Sequence, residues 1–260
     1  MTVFSEHETK LSSGLLRYRK GGSGRPILTL HGTGGPNVTP VMEELAQRHT
    51  IYQPVGPGWD GMPVHPSVKS VADLAGLYAE FTRTAIGGPC DVIGVSFGGW
   101  VALWLAVRHP DLVDQLVLEA PAGLRDPETG GLPPDPAKLR AALFSNPERA
   151  PKSTRSPEAW VENRRVRESY AQGVSLDQSL LDALPQIKAR TLALFGTKDE
   201  VCPVEKTGRR LKAAIPHLHL SFIYGAAHAL ELDQPTRVAR LVGVFLERGE
   251  AFLVRSPEAA

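Results

Sequence analysis

The sequence predicts an α/β fold: a mostly parallel central sheet flanked by helices, with a helical cap insertion. Three observations predict it. Short apolar runs bounded by Gly, Pro, Asp or polar clusters recur along the chain, as buried strands do. Between them lie stretches with apolar residues at helical spacing, the alternation that parallel strands joined by crossovers require. One segment, residues 121–185, breaks the alternation: it has no strand-like run and is dense in proline.

The elements follow in chain order. Leu15–Lys20 and the turn Gly21-Gly22-Ser23-Gly24 read as an antiparallel strand leading to the next one. Ile27–Leu30, Ile51–Val55, Val92–Val95, Leu116–Leu118, Leu192–Phe195 and Leu218–Ile223 read as buried strands. Val68, Val71, Leu74, Ala75, Tyr78 and Phe81 form one helical stripe. The run from Val101 is apolar all round, which predicts a buried helix. Val204–Ile215 and Pro235–Leu246 read as helices with proline near the first turn. Inside 121–185 two helices are expected, Pro136–Phe144 and one beginning after Ser156, with Ser156 as N-cap and Pro157 at the first helical position. A compact fold rarely spends such a length on plain loop. The organisation expected is therefore a core of 1–120 and 186–260 with a cap of 121–185.

Composition narrows the function classes. With 29 Lys+Arg against 28 Asp+Glu in 260 residues, the chain lacks the basic excess of a nucleic-acid-coating protein. At 42% hydrophobic and 22% charged it is ordinary for a soluble globular protein. Cys90 and Cys202 are too few for a disulfide scaffold and read as free thiols. The stretch Met1–His7 has no basic start followed by an apolar run, and Val101–Val107 is too short to cross a bilayer. A cytoplasmic protein with no nucleic-acid or membrane partner is expected.

The most informative stretch is Asp91-Val92-Ile93-Gly94-Val95-Ser96-Phe97-Gly98-Gly99-Trp100, a strand running through Gly94-x-Ser96-x-Gly98 directly into an apolar helix. Such a turn forces Ser96 into a strained backbone conformation and leaves its hydroxyl at the carboxyl end of the sheet. Glycines on either side remove side chains that would collide across the turn. The helix N-terminus behind Ser96 adds N–H donors for developing negative charge. A plain Gly/Ser loop with Ser96 as a helix cap is the alternative, and the strand–turn–helix context speaks against it.

With four motifs in order, the chain resembles the α/β-hydrolase superfamily: His31-Gly32-Thr33-Gly34-Gly35 after an early strand, the Ser96 turn, Asp199 after a later strand, and His228 near the end. A serine hydroxyl needs a base within reach. Of the eight histidines, the resemblance picks His228, in the loop that delivers the general base. His217 and His219 alternate on a strand, where a metal site or a solvated face is conceivable; no metal and no cofactor is expected. The resemblance puts the acid at Asp199, three residues after Gly196, with Glu200 and Glu119 as alternatives. It puts the oxyanion donors at the backbone N–H groups of Phe97 and Thr33, with Gly34 next. The glycines after His31 do not make a nucleotide loop, because Asn37 stands where dinucleotide binding wants glycine and no Lys-Ser/Thr follows.

Gly34, Trp59, Trp160 and Ala229 are the expected pocket residues, with Trp59 alternatively a packed loop anchor. Its loop, Gly56-Pro57-Gly58-Trp59-Asp60-Gly61, departs from the Gly-x-Gly-x-Ser pattern common in relatives. The cap carries a basic group, including Lys138, Arg140, Arg149, Arg155, Arg164, Arg165 and Arg167, which reads either as a welcome for a carboxylated substrate or as a solvated helix face. Relatives with an aspartate nucleophile are excluded by Ser96. Carbon–carbon hydrolases of ring-cleavage products typically carry Asn before the nucleophile and Trp after the histidine; here Val95 and Ala229 stand there. The function expected is a serine hydrolase of a small-molecule ester acting through an acyl-enzyme. Carbon–carbon hydrolysis of a dienoic keto-acid and a ligand receptor with little turnover are the alternatives.

Overall fold

The computed structural model describes residues 3–152 and 155–249. Met1 and Thr2 of the amino-terminal stretch and the end of the 186–260 segment lie outside them. Eight strands form one sheet: β1 (Ser5–Leu11), β2 (Gly14–Gly22), β3 (Arg25–Leu30), β4 (His49–Pro54), β5 (Cys90–Val95), β6 (Val113–Glu119), β7 (Arg190–Gly196) and β8 (Leu218–Ile223). Their order is β1-β2-β4-β3-β5-β6-β7-β8. β1 pairs antiparallel with β2, and β2 with β4; the pairs from β4 through β8 are parallel.

Two expectations at the amino end are corrected. β1 was not expected, because Ser5-Glu6-His7-Glu8-Thr9-Lys10 is polar on both faces; its residues are mostly exposed at the sheet edge. Gly21 and Gly22 belong to β2 rather than to a tight turn, and β2 lies against β4, not β3. Gly22 is required where it stands, with φ +82 and the backbone carbonyls of Ala46 and His49 occupying the place of a side chain.

The helices are α1 (Pro40–Leu45), α2 (Val71–Phe81), α3 (Phe97–Arg108), α4 (Pro136–Leu143), α5 (Pro157–Ala171), α6 (Gln178–Ala183), α7 (Val204–Ala214), α8 (Leu230–Asp233) and α9 (Pro235–Arg248). α2 opens with a reciprocal cap: Ser70 Oγ accepts from Asp73 N at 3.1 Å, and Asp73 Oδ2 from Ser70 N at 3.0 Å. Successive strand residues point to opposite faces, and the core divides accordingly. Leu28, Val92, Leu116, Leu118, Ala193 and Phe195 pack with α2, α3 and α7. Ile27, Ile51, Ile93, Val117, Leu192 and Leu194 pack with α1, α8 and α9. Many of these side chains have no exposed surface at all, and each stabilises the fold by roughly 1.5–3 kcal/mol relative to exposure.

Between β6 and β7 lie α4, α5 and α6. Ser156 Oγ caps α5 through Ala159 N at 3.2 Å, with Pro157 in the first turn as expected. α6 packs on α3, tied by Asp177, whose Oδ2 accepts from Trp100 Nε1 and Trp104 Nε1 at 2.9 and 2.8 Å. The inserted segment shares the core cluster of the sheet through Val166, Tyr170, Leu180 and Leu184.

The chain winds from β3 to its neighbour β4, then crosses to β5 on the other side of β3. The carboxyl ends of β3 and β5 therefore flank the point where the winding reverses, where open α/β sheets form a crevice. The His31–Gly35 loop leaves β3 and Ser96 leaves β5 at this point. Among the described residues no helix is long and apolar enough to cross a membrane. Cys90 and Cys202 are free and buried.

Candidate active site

Ser96 joins β5 to α3 in a single residue with φ +52 and ψ −112, a conformation non-glycine residues rarely adopt. It is held by its own backbone: its N–H donates to Glu119 O at 2.8 Å, and its carbonyl accepts from Gly99 N, Trp100 N and Ala122 N. The surrounding glycines are sterically enforced. A Cβ on Gly94 would lie 2.6 Å from Gly98 O, one on Gly99 would lie 2.7 Å from Pro121 Cβ, and one on Gly98 would collide with the Leu30 carbonyl.

The structure brings Ser96, His228 and Asp199 together from three loops. His228 Nε2 lies 2.9 Å from Ser96 Oγ, and His228 Nδ1 lies 2.9 Å from Asp199 Oδ2. All three residues are buried. Asp199 Oδ1 accepts from Val201 N at 2.8 Å and Cys202 N at 2.9 Å, so both oxygens are engaged and the carboxylate is fixed in direction. These bonds close a turn before α7, which opens only at Val204, so Asp199 is not a helix N-cap. An ionised carboxylate only accepts, so Nδ1 of His228 carries the proton and Nε2 presents its lone pair to the Ser96 hydroxyl.

Neither alternative acid reaches His228. Glu200 is exposed. Glu119 is buried at the end of β6, and neither carboxylate oxygen has a hydrogen-bond partner among the described residues. Burial, then the neighbouring Glu231, pushes its carboxyl well above the usual range. His217 precedes β8 rather than sharing its face, and His219 on β8 packs edge-on against Phe245 with ring centroids 6.5 Å apart.

Thr33 is buried in the loop after β3, and Phe97 directly follows Ser96. Phe97 opens α3, where a first-turn N–H has no intrahelical acceptor. The His31–Gly35 loop passes beside Ser96: a Cβ on Gly32 would lie 3.5 Å from Ser96 Cβ. His31 fixes this loop. Its Nε2 accepts from Gly56 N at 3.1 Å, so its other nitrogen carries the proton and donates to Gly32 O at 2.9 Å. Burial lowers its pKa to about 4, which keeps the ring neutral.

The pocket expectations separate. Ala229 and Val95 line a cavity of about 150 Å³ together with Gly32, Gly35, Thr39, Gln53 and Glu231. Among the described residues its ionisable lining groups are the neutral His31 and Glu231, whose pKa burial pushes up to about 7, and neither Ser96 nor His228 lines it. Trp160 of α5 lies over the His31–Gly35 loop, 3.4 Å from where a Gly34 Cβ would stand. Trp59 is corrected from pocket wall to loop anchor. It has no exposed surface, donates from Nε1 to Thr33 O at 2.9 Å, and stacks on Tyr170 with centroids 5.7 Å apart. A second groove, of about 510 Å³ between α1 and α9, is lined by none of the expected site residues.

Several arginines of residues 121–185 are engaged by other groups of the chain. Arg164 donates to the Leu132 and Pro133 carbonyls, Arg140 to those of Pro147 and Ala150, and Arg165 to Glu162. Arg155 pairs with Asp60 at 2.6 Å. The sequence reading did not single out Asp60 or Asn163, and it named Arg155 only as one of the basic group. The one signal was the departure of the Gly56–Gly61 loop from its usual pattern, which falls on Asp60.

The sequence profile of the alpha/beta hydrolase family matches residues 27–241. The chain is 30% identical to 2-hydroxymuconate semialdehyde hydrolase of Pseudomonas sp. (strain CF600), over 88% of this chain and 89% of that one. It is 31% identical to pimeloyl-[acyl-carrier protein] methyl ester esterase of Chromobacterium violaceum, over 87% and 96%. In structure it resembles a meta-cleavage product hydrolase from Pseudomonas fluorescens IP01, with TM-score 0.79 and 20% identity over 93% of this chain and 97% of that one. The protein is thus an enzyme of the alpha/beta hydrolase family.

Proposed function

We propose that this hydrolase cleaves a carboxylic ester of a small molecule through an acyl-enzyme on Ser96. The observation that carries the reading is His228, 2.9 Å from Ser96 on one ring nitrogen and 2.9 Å from Asp199 on the other. His228 Nε2 takes the hydroxyl proton as Ser96 Oγ bonds to the ester carbonyl carbon. The carbonyl oxygen becomes an oxyanion, met by the Phe97 and Thr33 N–H groups. Asp199 keeps the proton on Nδ1 and stabilises the imidazolium. The C–O bond to the alcohol breaks, and His228 returns the proton to the departing oxygen. Water then repeats the cycle on the acyl-enzyme: His228 accepts its proton, the acid leaves, and Ser96 regains its hydrogen.

One feature favours an ester over a dienoic keto-acid. Val95 and Ala229 are apolar at positions where carbon–carbon hydrolases of ring-cleavage products typically carry Asn and Trp. The second reading, carbon–carbon hydrolysis, is favoured by the relative named for 2-hydroxymuconate semialdehyde. The test is turnover of short- and medium-chain uncharged esters against a dienoic keto-acid by wild type and Ser96→Ala. Ester turnover that disappears in Ser96→Ala supports the proposal. Turnover confined to the keto-acid replaces it with the second reading, and no turnover of either points to a receptor.

A further inference from the structure

We propose that Asp60 is a positioning residue that latches the cap to the oxyanion loop, so that the hole for the developing oxyanion is complete only when the cap is closed. The inference rests on the reading of Ser96 as nucleophile. Asp60 sits between Gly58 and Gly61 in a left-handed conformation, φ +47 and ψ +40. A non-glycine residue there costs roughly 1–2 kcal/mol, which its side-chain bonds offset. Arg155 grips both carboxylate oxygens, with Nε to Oδ1 at 2.9 Å and Nη2 to Oδ2 at 2.6 Å. Such a fork is directional as well as strong. Asn163 of α5, 2% exposed, adds Nδ2 to Oδ1 at 3.1 Å and accepts from Asp60 N at 3.3 Å.

The same two cap residues reach the oxyanion loop. Asn163 Nδ2 donates to Gly34 O at 3.0 Å; Arg155 donates to Asn37 Oδ1 at 2.8 Å and to the Pro36 carbonyl. Gly35, at φ +90, lets them in: a Cβ there would lie 2.9 Å from Asn163 Nδ2. The consequence follows from peptide planarity, since fixing a carbonyl fixes the N–H of the next residue. The Gly32 carbonyl, which sets the Thr33 N–H, is held by His31 and by Gly35 N at 3.1 Å. The Thr33 carbonyl, which sets the Gly34 N–H, is held by Trp59, itself stacked on Tyr170 of the cap. The Gly34 carbonyl is held by Asn163. The cap reaches the Thr33 N–H through Gly35: Asn163 holds the Gly34 carbonyl, which sets the Gly35 N–H that holds the Gly32 carbonyl, so withdrawing Arg155 and Asn163 loosens that relay. Burial raises the Asp60 carboxyl, and the bonds from Arg155 and Asn163 outweigh it, leaving the pKa below the usual value. The latch is thus charged at neutral pH.

The test compares wild type, Asp60→Asn, Arg155→Met and the double variant. The readouts are kcat and KM on the best ester, and affinity for a trifluoromethyl ketone against its methyl ketone counterpart. The fluorinated ketone forms a tetrahedral adduct that loads the hole. Each single variant is expected to lose roughly 10- to 100-fold in kcat and in fluorinated-ketone affinity, with KM and methyl-ketone affinity within about threefold. The double variant loses no more than either single one. Lower thermal stability with kcat and the ketone ratio unchanged overturns the proposal. If wild type neither turns over ester nor forms an adduct, the nucleophile reading fails separately, and amide exchange then decides the latch. Exchange at Thr33, Gly34, Gly35 and Asn37 is expected to quicken at least tenfold in Asp60→Asn, a rough threshold for lost local protection; unchanged exchange refutes it.

Discussion

Replacing Asp199 by Asn probes the site through one proton. Oδ1 of Asp199 receives two backbone N–H bonds, from Val201 and Cys202, and Oδ2 faces His228 Nδ1. An amide here has one sensible orientation. Its oxygen must take the Oδ1 position, because an NH2 group there would meet two donors. The NH2 then faces His228, which can only answer with a lone pair on Nδ1. The ring proton moves to Nε2, and the Ser96 hydroxyl loses its base. A wrong tautomer of this kind costs ~10⁴-fold in kcat, about 5.4 kcal/mol. Stability should hardly change, since both backbone bonds survive. Asp199→Ala should in addition lose about 2 kcal/mol of stability, because two buried N–H groups lose their acceptor. The assay is steady-state ester hydrolysis beside urea denaturation, with Glu200→Gln and Glu119→Gln as controls that keep kcat. Asp199→Asn retaining kcat within tenfold of wild type would refute the tautomer argument.

Two further outcomes follow. His31 titrates at about 4 in the folded chain and near 6.5 when unfolded. The unfolded state therefore binds the extra proton, and stability falls as pH drops from 6.5 to 4, by about 3 kcal/mol in all, with no contribution above 6.5. Urea midpoints across that window should slope less in His31→Gln than in wild type; equal slopes would contradict the assignment. Gly98→Ala puts a methyl into the Leu30 carbonyl and should destabilise by at least ~3 kcal/mol. Gly76→Ala, in α2 with open space around it, should stabilise by roughly 0.5–1 kcal/mol; thermal melts of the pair check both.

The Ser96 turn was readable because its causes are local. Strand, glycines and apolar helix sit within a dozen residues, and the glycines answer contacts in the same turn, at the adjoining end of β3 or just after β6. Parallel strands were readable because burial on both faces makes them continuous apolar runs. β1 was not, since an edge strand needs no apolar face. α1 escaped because six residues are too few to show a period. Asp199 and His228 were placed by the family resemblance, but only the fold shows that the carboxylate is locked by Val201 and Cys202. The latch was unreadable for a different reason. Asp60 meets Arg155 and Asn163 across 95 and 103 residues, and no pattern along the chain encodes such a meeting. A charge count could not choose between the two readings of the basic group, because it does not see that Arg140 and Arg164 are spent on backbone carbonyls and Arg155, Arg165 and Arg167 on carboxylates.

The central claim is that Ser96 carries the acyl group. Brief incubation with a fluorophosphonate, or with a slowly deacylating ester, followed by peptide mass spectrometry, tests it directly. The account predicts one adduct on the peptide containing Ser96, absent in Ser96→Ala and formed far more slowly in His228→Ala. An adduct on another residue, or ester turnover undiminished in Ser96→Ala, would contradict it.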